Sequence, residues 1–417
     1  MAMQHRRLRI LMLTPQLPYP PHQGTSIRNY NLLAHLARHH DVELLSFLQP
    51  GDNLFSTSPL WQVCRWIETV PAPHRTLRQR VWTTLSSRWP DMALRLASLA
   101  MEARLEVLLT VGEYDVVQIE GIEMARYSHI VRRRARKDTL LVFDDHNAEY
   151  LLQKRTFLTD LRHPRRWLGA LYSLVQWQKL VHYEREMCRM ADHVLAVSEA
   201  DATALRQLLP DLSVIIVPNG VDVHYYADYK PATGTSTRPL APHALVFTGK
   251  MDFRPNVDAV LWLSHEVLPL VQRQIPDAHF YVVGQKPHRR LRSLAHTSSI
   301  TITGWVEDVR PYIAGAAVYV VPLRMGGGTR LKLLEAMAMG KAIVSTGLGA
   351  EGFDVTDGRE LLLADEPAAF ADAVVSLLRD PDWRSRLGQQ ASAFARAHYD
   401  WESIVPRLEA LYSSKEA

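Results

Sequence analysis

The chain has 417 residues, too many for one hydrophobic core, which sets an expectation of two or three domains. Hydrophobic residues make up 47% and charged residues 22%, ordinary proportions for a globular protein with ample material for its cores. The net charge of +4 is uneven: residues 1–210 hold 27 Lys and Arg against 21 Asp and Glu, the remainder 21 against 23. A basic first half suits an acidic partner or an anionic membrane surface, whereas nucleic acid is disfavoured because no recognition motif accompanies the charge.

Only Cys64 and Cys188 occur, far apart and without metal-ligand spacing, which points to a reducing compartment and no structural disulfide. The opening MAMQHRRLRILMLTPQLPYPP imitates a signal peptide, but its apolar stretch Leu8–Leu13 is short and runs into prolines without a small-residue cleavage site. It reads better as a buried first strand. No apolar run approaches the roughly 20 residues that span a bilayer. The expectation is a cytoplasmic protein, with peripheral placement on the inner face of the membrane as a further candidate.

In chain order, LRILMLT (8–14) precedes a helix at about residues 24–38, and DVELLSF (41–47) follows. YDVVQIE (114–120), TLLVFDD (139–145), DHVLAVS (192–198) and LSVIIVP (212–218) complete the first set of strands. Continuous apolar runs of this kind belong to parallel strands covered by helices on both faces. A Pro-, Thr- and Ser-rich stretch then breaks the pattern. Alternation restarts with HALVFTG (243–249), AHFYVVG (278–284), SITITG (299–304), AVYVVPL (317–323), KAIVST (341–346) and ELLLAD (360–365). The predicted class is α/β, with two Rossmann-like doubly wound domains facing across a cleft. The expected division is an acceptor-side domain over 1–222, a linker over 223–243, a second domain over 244–395, and a closing helix over 396–417 that packs back toward the first domain.

Ligands of such sheets sit beyond the carboxyl ends of the strands, so the loops there carry the candidates. After AVYVVPL comes Arg324-Met325-Gly326-Gly327-Gly328-Thr329-Arg330, leading into LKLLEAMAMG. Three glycines let a backbone approach a ligand, and the helix start offers unpaired N–H groups and a positive dipole end. Arg324, Arg330 and Lys332 add cations, so a diphosphate fits; a plain turn with solvated arginines fits as well. Glu335, in the first turns of that helix, reads either as a ligand for ribose hydroxyls or as a carboxylate favoured by the dipole. Gly249 and Lys250 follow the first strand of the second half, with Arg254 close by. They would hold a leaving diphosphate, or pair with Asp252 and Asp258.

In the first half, Gly24 lies between a strand and an amphipathic helix in a loop stiffened by Pro18, Pro20 and Pro21. It reads as a close-approach loop or a bland one. Asp144, Asp145, His146, Asn147 and Glu149 end another strand, where His146 would polarise a hydroxyl or cradle a sugar through its carbonyl. The cluster is not a zinc site, since His146 and Glu149 have no second pair of matching ligands. Gly347–Gly352 spells G-x-G-x-x-G after a strand, but the third glycine opens no helix, so the dinucleotide reading fails. Residues 77–96 and 165–187 mix Arg with Trp, Tyr and Leu at helical spacing, as membrane-surface helices do and as packed helices with charged outer faces also do. The run Arg132–Lys137 reads as a solvated helix end.

Taken together, VPNGVD (217–222), FTGKMDFRPNVDAV (247–260), the block from Thr303 to Thr346 ending LEAMAMGKAIVST, and the closing GAEG…DGRELLLAD resemble the group 1 (family 4) glycosyltransferases of the GT-B fold. The resemblance covers nearly the whole chain, and PYPP…G…IR with HNAEY is similar to bacterial members that build polysaccharides and glycolipids. It implies a metal-independent, retaining transferase of hexosyl type. The donor would be a nucleoside-diphosphate sugar, with no further cofactor, and the acceptor a saccharide or a lipid-linked molecule. By the same resemblance Glu335 grips the ribose, the backbone at Trp305 and Val306 holds the base, and Lys250 replaces a diphosphate-binding Arg. Gly24 lies against the diphosphate and His146 is the histidine near the scissile bond. Two positions depart from the pattern. Asn256 stands where a Lys is usual, with Arg330 or Lys332 as substitutes, and Gly327 stands where a sugar-binding Glu is common. Rival readings are an epimerase or phosphorylase of the same fold and a catalytically silent sugar-nucleotide-binding module.

Overall fold

The computed structural model describes residues 6–21, 24–162, 167–230, 240–326 and 330–413. The chain forms two compact units, one running to Pro218 and joined by the chain from Ile404 onward, the other Asn219–Ser403.

The first unit holds a seven-stranded parallel sheet of β1 (Arg9–Thr14), β2 (Asp41–Leu48), β3 (Trp66–Pro71), β4 (Val116–Glu120), β5 (Leu140–Asp145), β6 (His193–Ala196) and β7 (Val214–Ile216). Their order is β3-β2-β1-β4-β5-β6-β7. Central strands read as unbroken apolar runs because helices cover both faces; Ile10, Leu11, Met12 and Leu13 of β1 are fully buried. The order reverses direction between β1 and β4, which opens a crevice at their carboxyl ends. Strand β3 is absent from the sequence reading. Its WIETVP buries only Ile67 and Val70 at the sheet edge and so lacks the continuous apolar signature.

The second unit holds a six-stranded parallel sheet of β8 (Ala244–Thr248), β9 (His279–Val283), β10 (Ile300–Gly304), β11 (Val318–Val321), β12 (Ile343–Ser345) and β13 (Leu362–Leu363). Its order is β10-β9-β8-β11-β12-β13, with the reversal between β8 and β11. A core of Phe247, Phe280, Tyr319, Trp262 and Phe370 packs the sheet against its helices.

Three local expectations change. Residues Val223–Ala227 of the expected linker form a helix, capped by Asp222, whose carboxylate accepts the Tyr225 N–H at 2.8 Å. Helix Pro381–Tyr399 runs unbroken across the expected boundary at 395. The last helix, Trp401–Ser413, carries residues of both units and contributes from Ile404 to the first. Cys64 and Cys188 are buried and unbonded. The Arg132–Lys137 run ends helix Ser128–Arg134, where Arg132, Arg133 and Arg136 pair with Asp192, Glu106 and Asp138.

Candidate functional site

In the first unit, acidic side chains converge at the carboxyl edge of the sheet. Glu120 ends β4, Asp144 lies in register with it on β5, and His146 follows β5 directly. Two buried carboxylates side by side repel each other unless cations answer them. Arg28, from helix Gly24–His39, does so for Asp144, donating from Nε and Nη2 to Oδ2 at 2.9 and 2.7 Å. His146 does so for Glu120, with Nε2 2.9 Å from Oε2. Burial alone lowers the His146 pKa, but the Glu120 hydrogen bond and the Asp144 charge outweigh it, and the pKa is raised. Burial and the Asp144 charge also push Glu120 up.

The support extends further back. Gln118 Nε2 donates to Glu120 Oε1 at 2.5 Å, and the Tyr412 hydroxyl donates to Gln118 Oε1. Asn29, its amide turned to donate, lies 2.8 Å from Glu120 Oε2. Ligand atoms of Glu120, Asp144 and His146 fall within 4.8 Å of one another. Arg28 takes Asp144 Oδ2 and His146 takes Glu120 Oε2, while Asp144 Oδ1 is buried without a hydrogen-bond partner among the described residues.

His146 also borders a cavity of about 640 Å³, whose wall includes Gln16, Tyr19, Gln49, Asp52 and an Arg95–Glu123 ion pair at 3.2 Å. Amides, carboxylates and an aromatic ring suit a polyhydroxyl ligand, and the volume is that of a small-molecule site. Gly24 opens the neighbouring helix and is exposed.

In the second unit the candidates gather where β8 and β11 end. Gly249 follows β8 with φ +152°, and a Cβ there would stand 2.7 Å from Lys332 Nζ and 2.8 Å from Asn256 Nδ2. Only glycine leaves room. Lys332 Nζ donates to Asn256 Oδ1 at 2.9 Å and lies 4.0 Å from the centre of the Phe247 ring. Asn256 in turn donates to the Lys250 carbonyl at 2.9 Å. Burial pushes the Lys332 pKa down to about 7. Gly326 has φ +108°, and a Cβ there would meet Pro255 at 3.1 Å. Arg330, just before helix Leu331–Ala338, is buried, which lowers its pKa. Glu335 of that helix is hydrogen-bonded by Tyr226, and burial raises its pKa.

Gly327, Gly328 and Thr329 lie outside the described residues. Arg324, expected among the phosphate-facing cations, is committed instead to Asp258 at 3.1 Å. Lys250 pairs loosely with Asp252 at 3.6 Å and stays exposed, as does Arg254 at the start of its helix. Trp305 and Val306 follow β10, two strands from β8 and therefore roughly 10 Å away; Trp305 is 71% exposed and Val306 packs on the core. At Gly347–Gly352 a single 3-10 turn, Leu348–Ala350, replaces the helix a dinucleotide fingerprint requires. Sequence reasoning missed Glu120, Gln118, Arg28, Tyr412 and Tyr226. Glu120 had a signal, a charge closing an apolar strand, and Arg28 lies in the PYPP…G…IR pattern; Gln118, Tyr412 and Tyr226 had none.

The family described as Glycosyltransferase Family 4 matches residues 22–225, and that described as Glycosyl transferases group 1 matches residues 242–380. The chain belongs to the group 1, family 4 glycosyltransferases. This family member is 30% identical over 205 residues to the phosphatidyl-myo-inositol mannosyltransferase of Mycolicibacterium smegmatis, covering 48% of this chain and 51% of that protein. It is 23% identical over 172 residues to an uncharacterised 44.6 kDa protein in the cps region of Klebsiella pneumoniae, covering 39% and 44%. The matched stretches thus span only half, or a little less, of these relatives' length. Sucrose-phosphate synthase from Thermosynechococcus elongatus superposes with a TM-score of 0.71 at 18% identity, over 97% of this chain and 98% of that one. Anabaena HepE in complex with UDP gives 0.68 at 16%, over 98% and 100%. At these identities the likeness establishes the fold, GT-B, for this glycosyltransferase-family chain.

Proposed function

We propose that the chain transfers a hexosyl group, with retention and without a metal, from a nucleoside-diphosphate sugar to a hydroxyl of a saccharide or lipid-linked acceptor in cell-surface polysaccharide or glycolipid synthesis. The observation that carries this is Lys332: a desolvated ammonium held by Asn256 beside Gly249, with its pKa pushed down to about 7 by burial and by the Arg330 charge against the pull of Glu335. A buried cation of this kind gains most from an arriving anion. The lysine that relatives carry at position 256 is thereby supplied from helix Leu331–Ala338, and Asn256 positions it. Glu335, three residues on, takes the ribose, and Lys250, Arg254 and Arg330 share the diphosphate with the backbone of the glycine turn. Trp305 and Val306 receive the base.

The acceptor occupies the cavity at His146, where Asp52, Glu123 and the amides bind its hydroxyls. Its oxygen bonds to the anomeric carbon as the bond from that carbon to the diphosphate oxygen breaks. The hydroxyl proton leaves with the diphosphate. His146, its pKa raised by the Glu120 hydrogen bond and the Asp144 charge, donates a hydrogen bond and stabilises charge rather than removing a proton.

Donor turnover with and without acceptor, followed by NMR, tests the reading. Lys332→Ala should lose about 10²–10³ in transfer rate while melting like the parent. Transfer at the parent rate by Lys332→Ala would refute the assignment, and donor interconversion without acceptor would make the chain an epimerase.

A further inference from the structure

Helix Leu77–Ser86 is built inside out. A surface helix normally buries its apolar stripe and shows its polar face to water. Here Leu77, Val81 and Leu85, spaced i, i+4, i+8, point outward with Trp82 beside them, all 57–80% exposed, and no residue of the helix is buried. Its inner face is the polar one. Arg80 donates to Asp91 at 3.0 Å, and Lys179 donates to the Thr84 and Ser87 carbonyls at 2.6 and 2.7 Å. The helix is moored by polar contacts and displays its hydrophobic side.

Helix Trp167–Met190, which supplies Lys179, continues the surface. Trp167, Leu168 and Leu171 are exposed at its start. The same stripe, followed at three- and four-residue steps, reaches Gln178, His182, Arg185 and Arg189, so it turns from apolar to basic along its length. Beside the basic half lies a cavity of about 780 Å³ lined by Arg88, Lys179, Arg185 and Arg189, with Glu186 the only carboxylate among the described residues of its wall. Arg88 and Arg189 are exposed and, among the described residues, form no ion pair. Residues 77–90 contain three arginines and no acid.

We infer that this surface docks on an anionic phospholipid bilayer. The apolar stripe and its tryptophans enter the interface, and the basic cavity takes lipid phosphates. A second copy of the chain fits the surface poorly, because a two-fold contact would set these arginines against their own images. The inference deepens the transferase reading, whose acceptors include lipid-linked ones, yet vesicle binding needs no turnover. Failure of transfer with binding intact would sink that reading alone.

The test is flotation of the full chain with phosphatidylglycerol-containing vesicles against pure phosphatidylcholine. The chain should float with the anionic vesicles, less as salt rises, and far less with neutral ones. Trp82→Ser with Leu85→Ser should lower partitioning about 100-fold, roughly tenfold for each lost anchor. Arg88→Glu with Arg189→Glu should abolish the preference for anionic lipid. Circular dichroism and melting establish that each variant is folded; should the helix variant unfold, the arginine pair decides. Equal flotation with both vesicles, unchanged flotation of the variants, or a dimer in light scattering that Leu85→Ser dissolves would each overturn the inference.

Discussion

Tyr412 and Gln118 are 294 residues apart in the chain, and the hydroxyl of the first donates to the side-chain oxygen of the second inside the first unit. Gln118 passes the constraint to Glu120, and Glu120 holds His146. Tyr412→Phe should therefore act at a distance. It leaves a buried Gln118 oxygen without its donor, a loss of about 1–3 kcal/mol in stability. It should also lower kcat several-fold while leaving the donor KM unchanged. An unchanged kcat in a variant that melts lower would confine Tyr412 to structure.

Glu120 and His146 form a buried pair whose histidine titrates above the ordinary range. Glu120→Gln keeps a hydrogen-bond acceptor but removes the charge, so the imidazole pKa should fall. The limb of the pH–rate profile that reports His146 should shift to lower pH, with kcat down about 10–100-fold near neutrality. NMR titration of the ring checks the shift independently of turnover. A profile that stays in place would mean His146 does not govern it.

Binding of a nucleoside diphosphate should carry a proton with it. Free Lys332, with a pKa near 7, is mostly neutral at pH 8, and an adjacent diphosphate restores the ammonium. Calorimetry in two buffers of different ionisation heat should show uptake approaching one proton at pH 8, with affinity weakening as pH rises above 7. Lys332→Ala should abolish the uptake. The same uptake in that variant would assign the proton to another group.

A buried cluster not used in the chemistry governs stability. Burial pushes Glu184 up to about 7, and Asp145 beside it is also raised. Both favour the protonated form when folded; the contribution of Glu184 is full below its unfolded pKa near 4.5 and is lost as pH rises through about 7, and that of Asp145 is lost in the same direction. For Glu184 this amounts to about 3 kcal/mol. The unfolding midpoint should fall between pH 5 and 8, and Glu184→Gln should flatten the decline. A midpoint that rises over this range would contradict the account.

The sheets were legible because parallel strands announce themselves as apolar runs, and the strand ends then located His146, Gly249 and Lys250. Strand β3 was not, since only two of its six residues are buried. Tyr226 was hidden in a stretch that reads as linker until Asp222 caps a short helix. Asn256 looked like a lost lysine; only tertiary structure shows Lys332 reaching it from helix Leu331–Ala338. Arg324 looked like a ligand for phosphate until Asp258 claimed it. Periodicity encodes which face of an element is buried. It does not encode which distant polar group meets that face.

Because helix Trp401–Ser413 completes the first unit, that unit cannot finish folding when its own first 218 residues have been made. During synthesis Glu120 and Gln118 wait for Tyr412 until the whole second unit has passed. A product stalled before this helix therefore lacks the first hydrogen bond of the series that runs from Tyr412 through Gln118 and Glu120 to His146.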